Sequence, residues 1–214
     1  RETRTTLPVF MLVFLLTAGG RGENSGQEPV AAPAYKAYMI RYFDLGTQGI
    51  KQWHDRYDPA TAHIALRLWE DTGQERYREI GVSLFKAMMR SGEGAEAGSR
   101  WARKYGDFDS YPIVHAASAL DRHGLLEARW KDQIRAEIVA QQSKGLHWRY
   151  GNRELGKLAG PILAAFSFFS EDTQFDPLRA KARQWWKALN AVGCLDESSG
   201  NYSSLGLALL IDIA

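Results

Sequence analysis

Four short stretches of this 214-residue chain each place an aromatic ring within two residues of a small polar or charged side chain. They are Tyr57-Asp58; Asp109-Ser110-Tyr111; the group His147, Trp148, Tyr150, Asn152 and Arg153; and the group Glu197, Asn201 and Tyr202. Aromatic faces stack on the apolar faces of sugar rings, and amides, carboxylates and guanidinium groups satisfy hydroxyls and carboxylates. Each stretch also stands where a helix should begin. Asp, Ser and Asn are good N-caps, and a neighbouring ring can staple the incoming loop. Capping accounts for each stretch taken singly; their recurrence at the same point of successive helices points to a shared rim. His63 and His115 lie four or five positions further into two of those helices, as cavity-floor groups or as satisfied core histidines.

The elements that would hold such a rim are marked by regular punctuation. Asp58-Pro59 starts a helix and Gly73 stops it. A second runs from about 74 to 90 and ends at Gly92, a third from 110 to 123 before Gly124, and a fourth from about 126 to 143 before Gly145. Asn152 caps a fifth, to about 170 with a kink at Pro161, and Asp176-Pro177 starts a sixth, closed by Gly193. A seventh covers 202–213 and an earlier one lies around 35–43. No segment alternates with period two, so the expected class is all-α.

These helices are of two kinds, in alternation. The second, fourth and sixth are amphipathic: Tyr77, Ile80, Leu84 and Met88; Leu126, Trp130, Ile134 and Ile138; and Leu178, Ala182, Trp185, Leu189 and Val192 form single apolar faces. The others, around Ile64-Ala65-Leu66, Ile113-Val114, Ile162 to Phe166 and Leu207 to Ile211, read as apolar nearly all round. Inner helices begin near 58, 110, 152 and 202, a repeat of 42–52 residues. Such a repeat builds a solenoid or a closed α/α toroid. The last inner segment has no outer partner after it, so the chain is expected to be part of a larger toroid, incomplete at its C-terminal side.

Composition narrows the partners. The chain is 45% hydrophobic and 24% charged, as a globular domain is, with a formal net charge of +2. That surplus falls in residues 1–22, where Arg1, Arg4 and Arg21 face Glu2 alone; the remainder is balanced. Nucleic acid is therefore not an expected partner, since phosphate binding needs a cationic footprint. The single Cys194 excludes an intramolecular disulfide and a Cys-rich metal site, and no His pair has zinc spacing, so neither a metal nor a cofactor is expected. Arg1 and Arg4, the apolar run Leu7 to Ala18 and the small residues after it have the layout of a signal peptide over 1–22, pointing to a secreted or periplasmic protein. The run rises about 18 Å as a helix, short of a hydrocarbon core of about 30 Å. Residues 23–34 read as a linker and 35–214 as the helical domain.

The stretch Tyr57-Asp58-Pro59 with Thr72-Gly73 and Tyr77 resembles the helical hairpin of α/α-toroid carbohydrate enzymes. Tyr150 to Gly156 resembles the Asn-bearing inner helix of toroid polysaccharide lyases, the chondroitin, hyaluronate, alginate and heparinase-like group, and Asp196 to Tyr202 is similar to an acidic-Ser-Tyr stretch in that group. The resemblance covers most of 57–214 through short motifs. It implies β-elimination on an acidic, uronate-containing polysaccharide. Asn152 matches the residue that neutralises the uronate carboxylate, Arg153 would assist it, and Tyr202 is the candidate acid or base with His147 a second. Tyr57, Asp58, Tyr111, His115, Trp148, Tyr150, Arg153, Glu197 and Asn201 would bind substrate. The group places its catalytic His after the Asn. No His follows His147 here, so either the base lies beyond residue 214 or the assignment fails. Two other readings stand: a glycosidase using Asp58, Asp109, Asp196 and Glu197 as paired carboxylates, and a non-catalytic helical-repeat scaffold.

Overall fold

A computed structural model of the chain describes residues 32–50, 52, 58–93, 109–143 and 152–192. Among the described residues there are seven α-helices, one 3-10 turn and no strand, so the fold is all-α. The helices are α1 (Ala32–Thr47), α2 (Pro59–Thr72), α3 (Glu75–Ser91), α4 (Ser110–Arg122), α5 (Ala128–Ser143), α6 (Asn152–Ser167) and, after the turn Thr173–Phe175, α7 (Asp176–Val192). None of the described helices is long and apolar enough to cross a membrane. The signal-peptide reading of 1–22 and the seventh helix expected at 202–213 lie outside the described residues.

Local chemistry sets the boundaries. Asp58 Oδ1 accepts the Thr61 N–H at 3.1 Å and Pro59 occupies the first turn of α2. Gly73, at φ 68°, ends α2 and donates its N–H to the Trp69 carbonyl at 2.7 Å. Two boundaries differ from expectation. α1 begins at Ala32, inside the stretch read as linker, because Ala-Pro-Ala suits a first helical turn. α6 stops at Ser167, earlier than expected, where the Phe168 and Phe169 N–H groups both bond the Ala164 carbonyl at 2.9 and 3.1 Å. The buried Arg179 of α7 then donates to the carbonyls of Ala165, Phe169 and Asp172, closing the end of α6.

α2, α4 and α6 stand side by side, with α3 packed on α2 and α7 on α6. Near their N-termini α2 and α4 meet through His63, Tyr111 and His115; near their C-termini they meet through Glu70 and Arg122. They are therefore parallel. α6 runs the same way: Gly160 lies against Ser110 at the start of α4, and Lys131 links Asp121 at the end of α4 to the Phe168 ring just after α6. Outside this row α5 reaches α3 through Gln133 Nε2 on the Met89 carbonyl and the edge contact of Trp130 with Phe85. The space between the layers is one apolar core, holding Leu66, Leu84, Phe85, Met89, Ile113, Leu120, Trp130, Ile134, Ile162 and Phe175. Burying such side chains supplies about 1.5–3 kcal/mol each, the main term favouring the fold.

Two glycines permit the closest approaches. A Cβ on Gly81 of α3 would stand 2.5 Å from Leu66 Cγ. One on Gly160 of α6 would stand 2.5 Å from the Ser110 carbonyl carbon and 2.6 Å from Ser110 Oγ. The second conflict is with backbone, which cannot swing aside.

Candidate functional site

The row of inner helices is less apolar than its sequence suggests. On α2, His63, Arg67 and Glu70 fall at intervals of four and three, and on α4 Tyr111, His115, Ser118 and Arg122 do the same. At 3.6 residues per turn each set forms one stripe, and α2 and α4 bring the two stripes together as a polar seam. This corrects the expectation that these helices are apolar nearly all round. The helical spacing was present in the chain; which stripes would face each other was not.

At the N-terminal end of the seam three rings meet. The imidazoles of His63 and His115 are stacked, with centroids 4.5 Å apart and planes 10° from parallel. Tyr111 sets its ring edge-on to His115 at 4.4 Å and 71°, and to His63 at 6.3 Å. His63 is 5% exposed and its Nδ1 has no hydrogen-bond partner. Burial pushes its pKa well below the ordinary histidine value, and the nearby positive groups His115, Arg67 and Arg122 push it the same way. His63 is thus a neutral imidazole at neutral pH. His115 is half-buried. Lone pairs of an imidazole lie in its ring plane, so two parallel stacked rings do not converge on a single metal ion. No group of three or more His, Cys, Asp or Glu that could hold a metal occurs among the described residues.

The C-terminal end is built from charges. Arg122 makes a two-pronged contact with Glu70, Nη2 at 2.8 and 2.9 Å from its oxygens and Nε at 3.0 Å, and Nη1 donates to Ser118 Oγ at 3.2 Å. His123 Nε2 lies 3.4 Å from the same carboxylate, and its ring packs on Trp69 at 4.3 Å. Arg67, between the two ends, pairs with Asp71 at 3.3 Å.

The residues singled out in the sequence fall into four groups. Tyr111 and His115 are brought together with His63. Tyr111 is 1% exposed, so it is a wall of the ring cluster and not an open platform for a sugar; its helix buries nearly every face. Asp58 stands half-buried at the start of α2, with Oδ1 committed to the cap. Asn152 and Arg153 open α6. Because Gly160 is level with Ser110, the start of α6 extends about 12 Å beyond the start of α4 along its own axis, at 1.5 Å per residue. The N-termini of α2, α4 and α6 thus face one end, with α6 standing proud. Tyr57, His147, Trp148, Tyr150, Glu197, Asn201 and Tyr202 lie outside the described residues. Sequence reasoning did not single out Arg67, Glu70 or Arg122. Their spacing along helices otherwise apolar was the signal that could have found them.

Comparison of the chain with protein-family profiles, with curated proteins and with solved structures gives no match.

Proposed function

We propose that this chain is the helical wall of an exported α/α-toroid enzyme that cleaves an acidic, uronate-containing polysaccharide by β-elimination. The observation that carries the reading is the parallel row of α2, α4 and α6, whose N-termini face one end above a cluster of His63, Tyr111 and His115. Three parallel helix N-termini add positive potential at that end, which favours a carboxylate ligand. A neutral imidazole is the form that removes a proton. Removal of the proton beside the uronate carboxylate needs the developing negative charge to be met by donors already in place. Asn152 and Arg153, at the projecting start of α6, are of the right types for that task.

The test is incubation of the full chain with alginate, hyaluronan, heparan sulfate and a glucuronan, following ultraviolet absorbance of the unsaturated product. Depolymerisation with new absorbance is the expected result, and N152A should lower it at least tenfold. Depolymerisation without absorbance would move the assignment to a paired-carboxylate glycosidase. No cleavage of any polymer would leave a binding scaffold.

A further inference from the structure

The one-faced helices α3, α5 and α7 differ in what their exposed sides carry. On α3, Arg76 pairs with Asp44 and Arg78 with Glu75; on α5, Arg129 pairs with Glu127, Lys131 with Asp121 and Arg135 with Asp172. On α7 the exposed Lys181, Arg183 and Lys187 have no carboxylate partner among the described residues. After Asp176 the chain holds no acidic residue until Asp196. The carboxylates at the start of α7 are already engaged, Asp172 by Arg135 and Asp176 by Arg179.

The three cations share one side of the helix. Arg183 and Lys187 stand at i and i+4, and Lys181, the exposed Gln184 and Lys187 follow at intervals of three, over a rise of about 9 Å. Arg183 lies over the Phe166 ring of α6, 5.3 Å from its centre, and that ring is 38% exposed. Cations alone suit any polyanion. Cations beside an amide and a partly open ring suit a sugar chain that bears carboxylates, since each kind of group then has its counterpart. A nucleic acid would need a wider cationic footprint than three side chains on a body whose charges otherwise balance. A lipid surface would need apolar side chains on the same face, and those of α7, Leu178, Ala182 and Trp185, are buried.

We propose that the exposed side of α7, with Lys181, Arg183, Gln184 and Lys187, and Phe166 beside it on α6, is a second contact surface for an acidic polysaccharide, separate from the row of helix N-termini. The identity of the polymer rests on the reading given above. The cations meet the carboxylates, the amide meets hydroxyls and the ring meets the apolar face of a sugar. Because the attraction is between exposed charges, it weakens as salt rises.

The experiment is affinity electrophoresis of the full chain in gels containing alginate or hyaluronan, at low and high salt. The variants are K181Q/R183Q/K187Q, F166A and, as a control that removes three positive charges from α3, R78Q/K86Q/R90Q. Thermal unfolding checks that each is folded, and K181Q/K187Q is the second variant if R183Q disturbs the packing on Phe166. At low salt the α7 triple variant should bind about tenfold more weakly than wild type. F166A should bind about threefold more weakly. The α3 control should stay within about twofold of wild type. No retention of wild type by either polymer overturns the proposal, as does an α7 triple variant that binds like wild type. An α3 control that loses as much as the α7 variant also overturns it, since net charge would then account for the binding. Equal retention by single-stranded DNA or by phosphatidylglycerol vesicles, lost in the same α7 variant, overturns the choice of partner. Binding that depends on α7, with no polymer cleaved, would sink the lyase reading and leave the surface standing; cleavage with binding indifferent to α7 would do the reverse.

Discussion

The two ends of the α2–α4 seam solve the same packing problem in different ways. At the C-terminal end, charges are matched: Arg122 donates to both Glu70 oxygens, and His123 Nε2 lies 3.4 Å from the same carboxylate. At the N-terminal end, rings are stacked and polar capacity is left over, with a buried Nδ1 that meets nothing. A buried polar atom left without a hydrogen-bond partner costs free energy that a matched pair does not. The contrast separates a charge-matched end from an end with an unmatched buried nitrogen on the same pair of helices.

The largest effect expected of any change to this arrangement is that of G160A. The added Cβ collides with the Ser110 backbone and pushes α6 away from the start of α4, at the ring end of the seam. Overpacking of this kind costs about 3 kcal/mol, read as a fall in the urea midpoint. An unchanged midpoint would mean that the two helices approach less closely than described.

A smaller effect separates the ends by pH. His63 has a pKa lowered from its ordinary 6.5, so in the folded state it holds fewer protons than in the unfolded chain. Its contribution to stability is complete above pH 6.5 and is lost as the pH falls below that value toward its folded pKa, with a limiting slope of about 1.4 kcal/mol per pH unit. H63Q should flatten stability against pH below 6.5 by up to that slope. A profile that H63Q leaves untouched would place the acid sensitivity elsewhere.

The smallest effect belongs to the clamp. Arg122 and Glu70 have side chains 44% and 16% exposed, so solvent screens their attraction. R122A should cost about 0.5–1 kcal/mol in low salt and less in high salt. A loss that exceeds that of G160A would reverse the ranking of the two ends.

Much of the helical framework was legible along the chain. Asp58-Pro59, Gly73 and Asp176-Pro177 mark α2 and α7 because caps and stops act over a few neighbouring residues. The single apolar faces of α3, α5 and α7 are periodic, and the structure buries Tyr77, Leu84 and Met88, then Trp130, Ile134 and Ile138, then Leu178, Ala182 and Trp185. The end of α6 was misplaced because two N–H groups compete for one carbonyl, a choice that composition does not encode. The burial of Tyr111 was missed for a related reason: a Tyr at a helix start can face a loop or a neighbouring helix, and its neighbours in sequence do not say which.

By itself the amino-acid order determined the all-α class, most helix limits and the one-faced apolar pattern of α3 and α5, all of which follow from interactions between residues at most a few turns apart. Only the tertiary structure decided that His63 stacks on His115, that Glu70 meets Arg122, and that Gly160 carries α6 past the start of α4. Those contacts join residues about fifty positions apart, across helices whose relative rotation and shift are set by packing of the shared core and leave no periodic trace in either helix alone.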